Sequence, residues 1–293
     1  MGKSKIEWCD KTWGVVTGCT PVSAGCQNCW AAAMAKRFPK LHTTSGGCSP
    51  HGGELLLPKF SDVLVHPDRL DQPLHWKKPR IIFVAPMGDL FHPEIVRGGE
   101  LPGGFLYQVW ATMAKCYAEC IDHKFLILTK RPEAMQDLLL YWQKHNFSWP
   151  GVLPNVWLGV SVEDQPTWDE RVSILQETPA AHRLVSVEPM LGPVDPAFRF
   201  LDAILAEANE GKHADIDWVI AGAESGPRRR FCEDRWLIDL AHQCEKAKVP
   251  YFCKQSHDLG GQILKMPELV ESVGHDIVTR VWDQTPWGGE VDG

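Results

Sequence analysis

Three cysteines, Cys19, Cys26 and Cys29, stand at C-x6-C-x2-C within Gly18–Trp30 (GCTPVSAGCQNCW). Three thiolates on one loop can hold three irons of a 4Fe-4S cluster and leave the fourth iron open to an exchangeable ligand. Gly18, Gly25, Pro21 and Ser23 are the residues expected where a loop folds tightly around an inorganic group. A structural zinc site is the competing reading: C-x2-C is half of many zinc motifs, and Cys48, His42 or His51 would complete it. Dithiol redox chemistry at Cys26 and Cys29 leaves the third cysteine without a role. The other cysteines read as packing residues. Cys116 and Cys120 are one helical turn apart, and Cys253 falls inside a strand. A second cluster on Cys232, Cys244 and Cys253 would lack both a fourth ligand and a compact loop.

A second pattern comes from strand alternation. Three successive strands close on a small residue, a spacer and a glutamate: Ser161-Val162-Glu163, Ser186-Val187-Glu188 and Gly222-Ala223-Glu224. Residues i and i+2 of a strand share a face, so each glutamate points the same way as the small residue before it. On a barrel the three carboxylates would line the mouth where such folds place their sites, unless they are simply solvated strand ends. Lys130, Arg131 and Lys254 bring positive charge to the same strand ends, suited to an anionic ligand or to ion pairs with the glutamates. Arg228, Arg229 and Arg230 form a basic cluster just after Glu224, which suits phosphate or is a solvated surface run. Trp30 and Trp8 flank the cysteine loop and are the aromatic residues best placed to stack on a base.

These residues need a scaffold, and the apolar runs supply one. Arg80–Pro86, Lys124–Lys130, Val156–Glu163, His182–Pro189, Trp218–Ser225 and Tyr251–Gln255 read as buried parallel strands, with a seventh at Thr12–Thr17. Helical spacing covers Cys29–Phe38, Phe105–Cys120, Pro132–Lys144, Pro166–Glu177 and Glu233–Ala247. Alternating strands and helices predict βα units around a parallel sheet. The count suits an α/β fold, a (β/α) barrel or partial barrel rather than an open sheet, over residues 1–260 with helices outside. An insertion lies near 41–79, a shorter loop spans Gly98–Gly104, and 261–293 form a C-terminal extension.

Composition narrows the class. The chain has 293 residues, 44% hydrophobic and 23% charged, too apolar for a disordered chain. No run approaches the roughly 18 apolar residues that span a bilayer. The amino terminus carries no apolar signal region, so a cytoplasmic protein is expected. In that reducing compartment the ten cysteines are ligands, catalysts or core residues rather than disulfides. A net charge of −7 disfavours broad, sequence-independent nucleic-acid binding while leaving room for a local basic groove.

The opening KIEWCDKTWGVVTGCTPVSAGCQNCWA resembles a phage-encoded radical-SAM-like family, and the resemblance continues through FVAPMGDLFH, FLILTKRP, WLGVSVE, RLVSVEPML, WVIAGAESG and FCKQ. It implies a radical-SAM type of partial barrel with a 4Fe-4S cluster on Cys19, Cys26 and Cys29 and S-adenosyl-L-methionine on the open iron. The first cysteine interval is three residues longer than the common C-x3-C-x2-C spacing. The chemistry implied is reductive formation of a 5'-deoxyadenosyl radical, with an external electron donor. In that frame Asp89 receives the methionine ammonium, Lys130 its carboxylate, Ser161 and Glu163 the ribose hydroxyls or amino group, and Glu188 the cofactor or substrate. Glu224, Arg228, Arg229, Lys254 and Trp30 face a nucleic-acid or nucleotide substrate. The expected activity is modification or isomerisation of a nucleobase or base substituent in phage DNA. The alternatives are a radical-SAM enzyme acting on tRNA, peptide or a small molecule, and a zinc-stabilised, non-catalytic binding protein.

Overall fold

The computed structural model describes residues 4, 6–39, 59–99, 101, 103–145, 151–196, 216–257, 263–264 and 286. The expected insertion is therefore seen from residue 59 onward. Most of the C-terminal extension, and Cys48, His42 and His51 of the zinc reading, lie outside the described residues. The chain groups into two compact units, Met1–Gly159 with Thr178–His182 and Val160–Glu177 with Arg183–Gly293.

The first unit carries β1 (Lys11–Trp13), β2 (Val16–Gly18), α1 (Trp30–Arg37), β3 (Leu64–Val65), β4 (Ile81–Val84), β5 (Met87–Gly88), α2 (Pro93–Gly99), α3 (Phe105–Ala118), β6 (Lys124–Thr129), α4 (Pro132–His145) and the start of β7 (Val156–Val162). The second holds α5 (Gln165–Glu177), most of β8 (His182–Val187), β9 (Trp218–Ala221), α6 (Asp234–Ala247), β10 (Tyr251–Cys253), β11 (Ser256–His257) and β12 (Ile263–Leu264).

Seven strands form one sheet in the order β1-β4-β6-β7-β8-β9-β10, with parallel pairing. The fold is thus mixed α/β, with β1 and β10 the end strands of that order. The expected parallel strands with outer helices are present at this level. Burial explains the choice of residues. Phe125, Leu126 and Ile127 of β6 and all four residues of β9 are fully buried, so apolar residues are needed on both faces of the strand. In α6, Leu237, Ile238, Leu240, Ala241 and Cys244 recur at helical spacing and supply the buried stripe.

Three boundaries differ from expectation. The single strand expected at Thr12–Thr17 is broken at Gly14, whose carbonyl accepts a 2.7 Å bond from Arg69 Nη1. The Val15 amide turns back to the Trp13 carbonyl at 3.0 Å, and the chain continues as β2 in a separate three-stranded sheet of order β3-β2-β5. Strand β9 stops at Ala221, so Glu224 stands in a loop rather than at a strand end. α2 reaches Gly99 and shortens the expected loop there. Among the described residues no helix is long and apolar enough to cross a membrane.

Candidate functional site

In the small sheet of the first unit, β2 and β5 run parallel with Gly18 opposite Gly88. The next residue on one strand is Cys19 and on the other Asp89, so one pair of glycines launches both groups together. Gly18 has φ +90°, a left-handed conformation that glycine adopts freely. Gly88 is required for closeness: a Cβ there would lie 2.8 Å from Val16 Cγ1 and 3.1 Å from the Gly18 carbonyl oxygen.

From Gly18 the cysteine loop runs to the first turn of α1. The Cys19 amide donates to the Phe60 carbonyl at 2.9 Å. Cys26 closes a 3-10 turn begun at Ala24, and the Val22 amide donates to its sulfur at 3.5 Å. Cys29 is the N-cap of α1, next to the amide end of the helix dipole. All three thiols are free and partly exposed. α1 is fastened by Ala31 and Ala35 against Met87, with Cys29, Met34 and Phe60 at the margin. Trp30, the first helical residue, is 49% exposed, whereas Trp8 is buried.

Arg131 ties the loop to the end of β6. Its Nη1 donates to Asp89 Oδ2 at 2.8 Å and lies 3.4 Å from Cys19 Sγ, and its Nη2 donates to the Thr20 carbonyl at 2.7 Å. Asp89 also accepts from the Phe91 amide (3.0 Å), Thr129 Oγ1 (2.8 Å) and the Lys130 amide (3.4 Å). Both its oxygens are therefore engaged, and its present work is to hold Arg131. Burial opposes the guanidinium charge, and Asp89 and Cys19 outweigh it, holding Arg131 above its ordinary pKa. Burial, with Asp89 adding to it, pushes the Cys19 thiol up to about 11 against the pull of Arg131. His92 accepts from the Glu94 amide at Nδ1, so its Nε2 carries the proton and donates to Thr20 Oγ1 at 2.9 Å. Burial, then Arg131, lowers its pKa and keeps it neutral.

The second unit gathers the three glutamates, each with a cation. Glu163 is wholly buried and pairs with Arg171 at 3.3 Å, while Arg171 also donates to the Ser161 carbonyl at 2.6 Å. Glu188 takes Lys254 Nζ at 3.0 Å and the Ser186 hydroxyl at 3.3 Å. Gly222 leaves room for this pair, since a Cβ there would meet Glu188 Oε1 at 3.0 Å. Glu224 is clasped by Arg230, through Nη2 at 2.5 Å and Nε at 3.0 Å. The ion-pair reading of the strand-end charges thus holds for Lys254, while Arg131 pairs with an aspartate. Ser161 and Glu188 stay half-buried, Arg228 is exposed and Arg229 half-buried.

The cysteines outside the loop mostly pack. Cys116, Cys232, Cys244 and Cys253 are buried, and burial raises the Cys232 thiol to about 12. Cys120 departs from the expectation of burial. It is exposed just beyond the end of α3 at φ +56°, because the helix stops before completing the turn that would have covered it.

Residues 3–287 match the model of a family described as proteins of unknown function, DUF5131. The chain belongs to the DUF5131 family. No curated protein and no solved structure matches it. Among the described residues of this DUF5131 chain, no three His, Cys, Asp or Glu side chains meet closely enough to enclose one ion.

Sequence reasoning passed over Thr20, His92, Thr129, Arg171 and the close approach at Gly88. A glycine directly before Cys19 and another directly before Asp89 were the only local signal of that approach. Arg171 carried none, because its partner lies eight residues away across a strand-to-helix turn.

Proposed function

We propose that this chain is a radical S-adenosyl-L-methionine enzyme, of the radical-SAM partial-barrel type, that modifies or isomerises a nucleobase or base substituent in phage DNA. The observation that carries this reading is the cysteine loop itself. Three partly exposed thiols share one loop, and two of their sulfurs already receive N–H donors, from Arg131 and from the Val22 amide. Thiolates that ligate a cluster take hydrogen bonds of this kind, and a guanidinium offsets their negative charge, so the donor set fits an iron–sulfur cluster on Cys19, Cys26 and Cys29. With cofactor bound, such a cluster supplies a 5'-deoxyadenosyl radical by reductive cleavage, given an external electron donor.

The chain's own residues do the positioning. Arg131 holds the Cys19 end of the loop and Asp89 holds Arg131. Lys130 in the first unit, and Ser161 and the Glu188–Lys254 pair in the second, are partly exposed polar groups suited to a cofactor's carboxylate, hydroxyls and amino group or to the substrate. Trp30, following Cys29 directly, offers a ring face. Glu163 works through Arg171 and the Ser161 backbone rather than by direct contact.

Anaerobic reconstitution is expected to give a brown protein with about four irons and four sulfides per chain, lost in Cys26→Ser. Reductant and S-adenosyl-L-methionine should then yield 5'-deoxyadenosine. A colourless chain that binds only zinc overturns the reading and favours the non-catalytic binding protein. Mass spectrometry of phage DNA nucleosides with and without the protein tests the substrate.

A further inference from the structure

The loop from Ser225 to Phe231 is the basic run of the second unit, and it is clamped at both ends. At its start Glu224, 5% exposed, receives the Arg230 amide at 2.8 Å in addition to the two guanidinium bonds. At its far end Cys232 is buried. Between them the chain turns at Gly226, φ +104°, whose carbonyl accepts the Arg229 amide at 3.3 Å.

Arg230 and Cys232 both face inward, so Phe231 between them is turned out. At 67% it is the most exposed of the large hydrophobic side chains among the described residues. A single exposed apolar residue needs no explanation. A phenyl ring held outward by a clamped turn, two and three residues from Arg229 and Arg228, is a different case. Ring face and guanidinium together are what unpaired nucleotides are gripped by: the base stacks on the ring, and the arginines bond the phosphates. Glu224 is occupied by Arg230, the Asp234 side chain bonds the Ser256 hydroxyl, and the Arg229 guanidinium reaches the Gly226 carbonyl at 3.3 Å. A duplex hides the faces of its bases, whereas a base-modifying enzyme must take its target out of the stack.

We propose that Arg228, Arg229 and Phe231 form a contact for single-stranded DNA, in which Phe231 stacks on an unpaired base and the two arginines hold the flanking phosphates. This rests on the nucleobase reading above, and its test needs no cofactor. Binding of the full chain to a fluorescein-labelled oligonucleotide, single-stranded or as duplex, is followed by anisotropy over a salt series.

The single strand is expected to bind tighter than the duplex. Phe231→Ala should weaken single-strand binding by about tenfold, and Phe231→Trp should retain it. Arg228→Gln and Arg229→Gln should each lower the logarithmic salt slope by about 0.7. Equal affinity of wild type and Phe231→Ala, or wild type that prefers duplex, overturns the proposal. If that occurs while iron loading and 5'-deoxyadenosine formation are intact, only the loop assignment fails. If Phe231-dependent binding persists in a chain that takes up no iron and sulfide, only the catalytic reading fails.

Discussion

Arg131 and Asp89 meet at 2.8 Å with side chains only 10% and 7% exposed, and the same guanidinium nitrogen reaches the sulfur of Cys19. One ion pair therefore serves as the anchor of the cysteine loop. Removing one partner leaves the other charge buried. Arg131→Met is expected to cost about 3–5 kcal/mol in urea unfolding and to lower iron retained after reconstitution. Arg131→Lys keeps the charge but lacks the planar fork that reaches Asp89, Cys19 and Thr20 together, so it should recover stability more than iron content. Unchanged unfolding and full iron in Arg131→Met would remove the anchor role.

Gly88 sits where the two site-bearing strands touch. Gly88→Ala places a methyl group 2.8 Å from Val16 and 3.1 Å from the Gly18 carbonyl, and backbone atoms cannot step aside as a side chain would. The expected cost is about 1–3 kcal/mol, with reduced iron uptake because Cys19 and Asp89 are displaced together. Calorimetry and iron analysis on the same preparation check both effects. An unaltered melting temperature would contradict the close approach.

Glu163 and Arg171 are both under a tenth exposed, so their pair is a buried one. Glu163→Leu alone or Arg171→Met alone should each destabilise the protein by about 3–5 kcal/mol, whereas the double variant should lose far less than the sum. Additive losses in chemical denaturation would show that the two charges do not depend on each other.

His123 is fully buried, its Nε2 bonded to the Pro73 carbonyl at 3.0 Å and its ring edge-on to Phe125. Burial, with Arg80 adding to it, lowers its pKa below the ordinary 6.5. The folded chain thus resists a proton that the unfolded chain accepts. Above pH 6.5 both states are neutral at this site and nothing is lost; as pH falls from there toward the lowered folded value, stability declines by up to about 1.4 kcal/mol per pH unit. His123→Gln is expected to flatten this part of the urea-midpoint profile between neutral pH and pH 5.5. A profile with the same slope in the variant would assign the pH dependence elsewhere.

Much of the scaffold was legible because its signals are local. The apolar runs Lys124–Lys130 and Val156–Glu163 contain β6 and β7 within a residue, since strands covered on both faces must be apolar throughout. The helix after the cysteines was legible from its alanine-rich spacing. Gly14 was harder, because the guanidinium that takes up its carbonyl arrives from Arg69, far along the chain. Cys120 misled for the opposite reason: helical spacing continued while the helix itself stopped.

By itself the sequence determined which residue types are available and where they recur: three thiols on one loop, carboxylates near successive strand ends, and a parallel α/β alternation. These follow from composition and period, which act between near neighbours. Only the tertiary structure decided the partnerships. Asp89 pairs with Arg131, Glu163 with Arg171, Glu188 with Lys254 and Glu224 with Arg230. A buried charge is stable only beside its counter-charge, and which counter-charge arrives is set by how strands and turns distant in sequence come together.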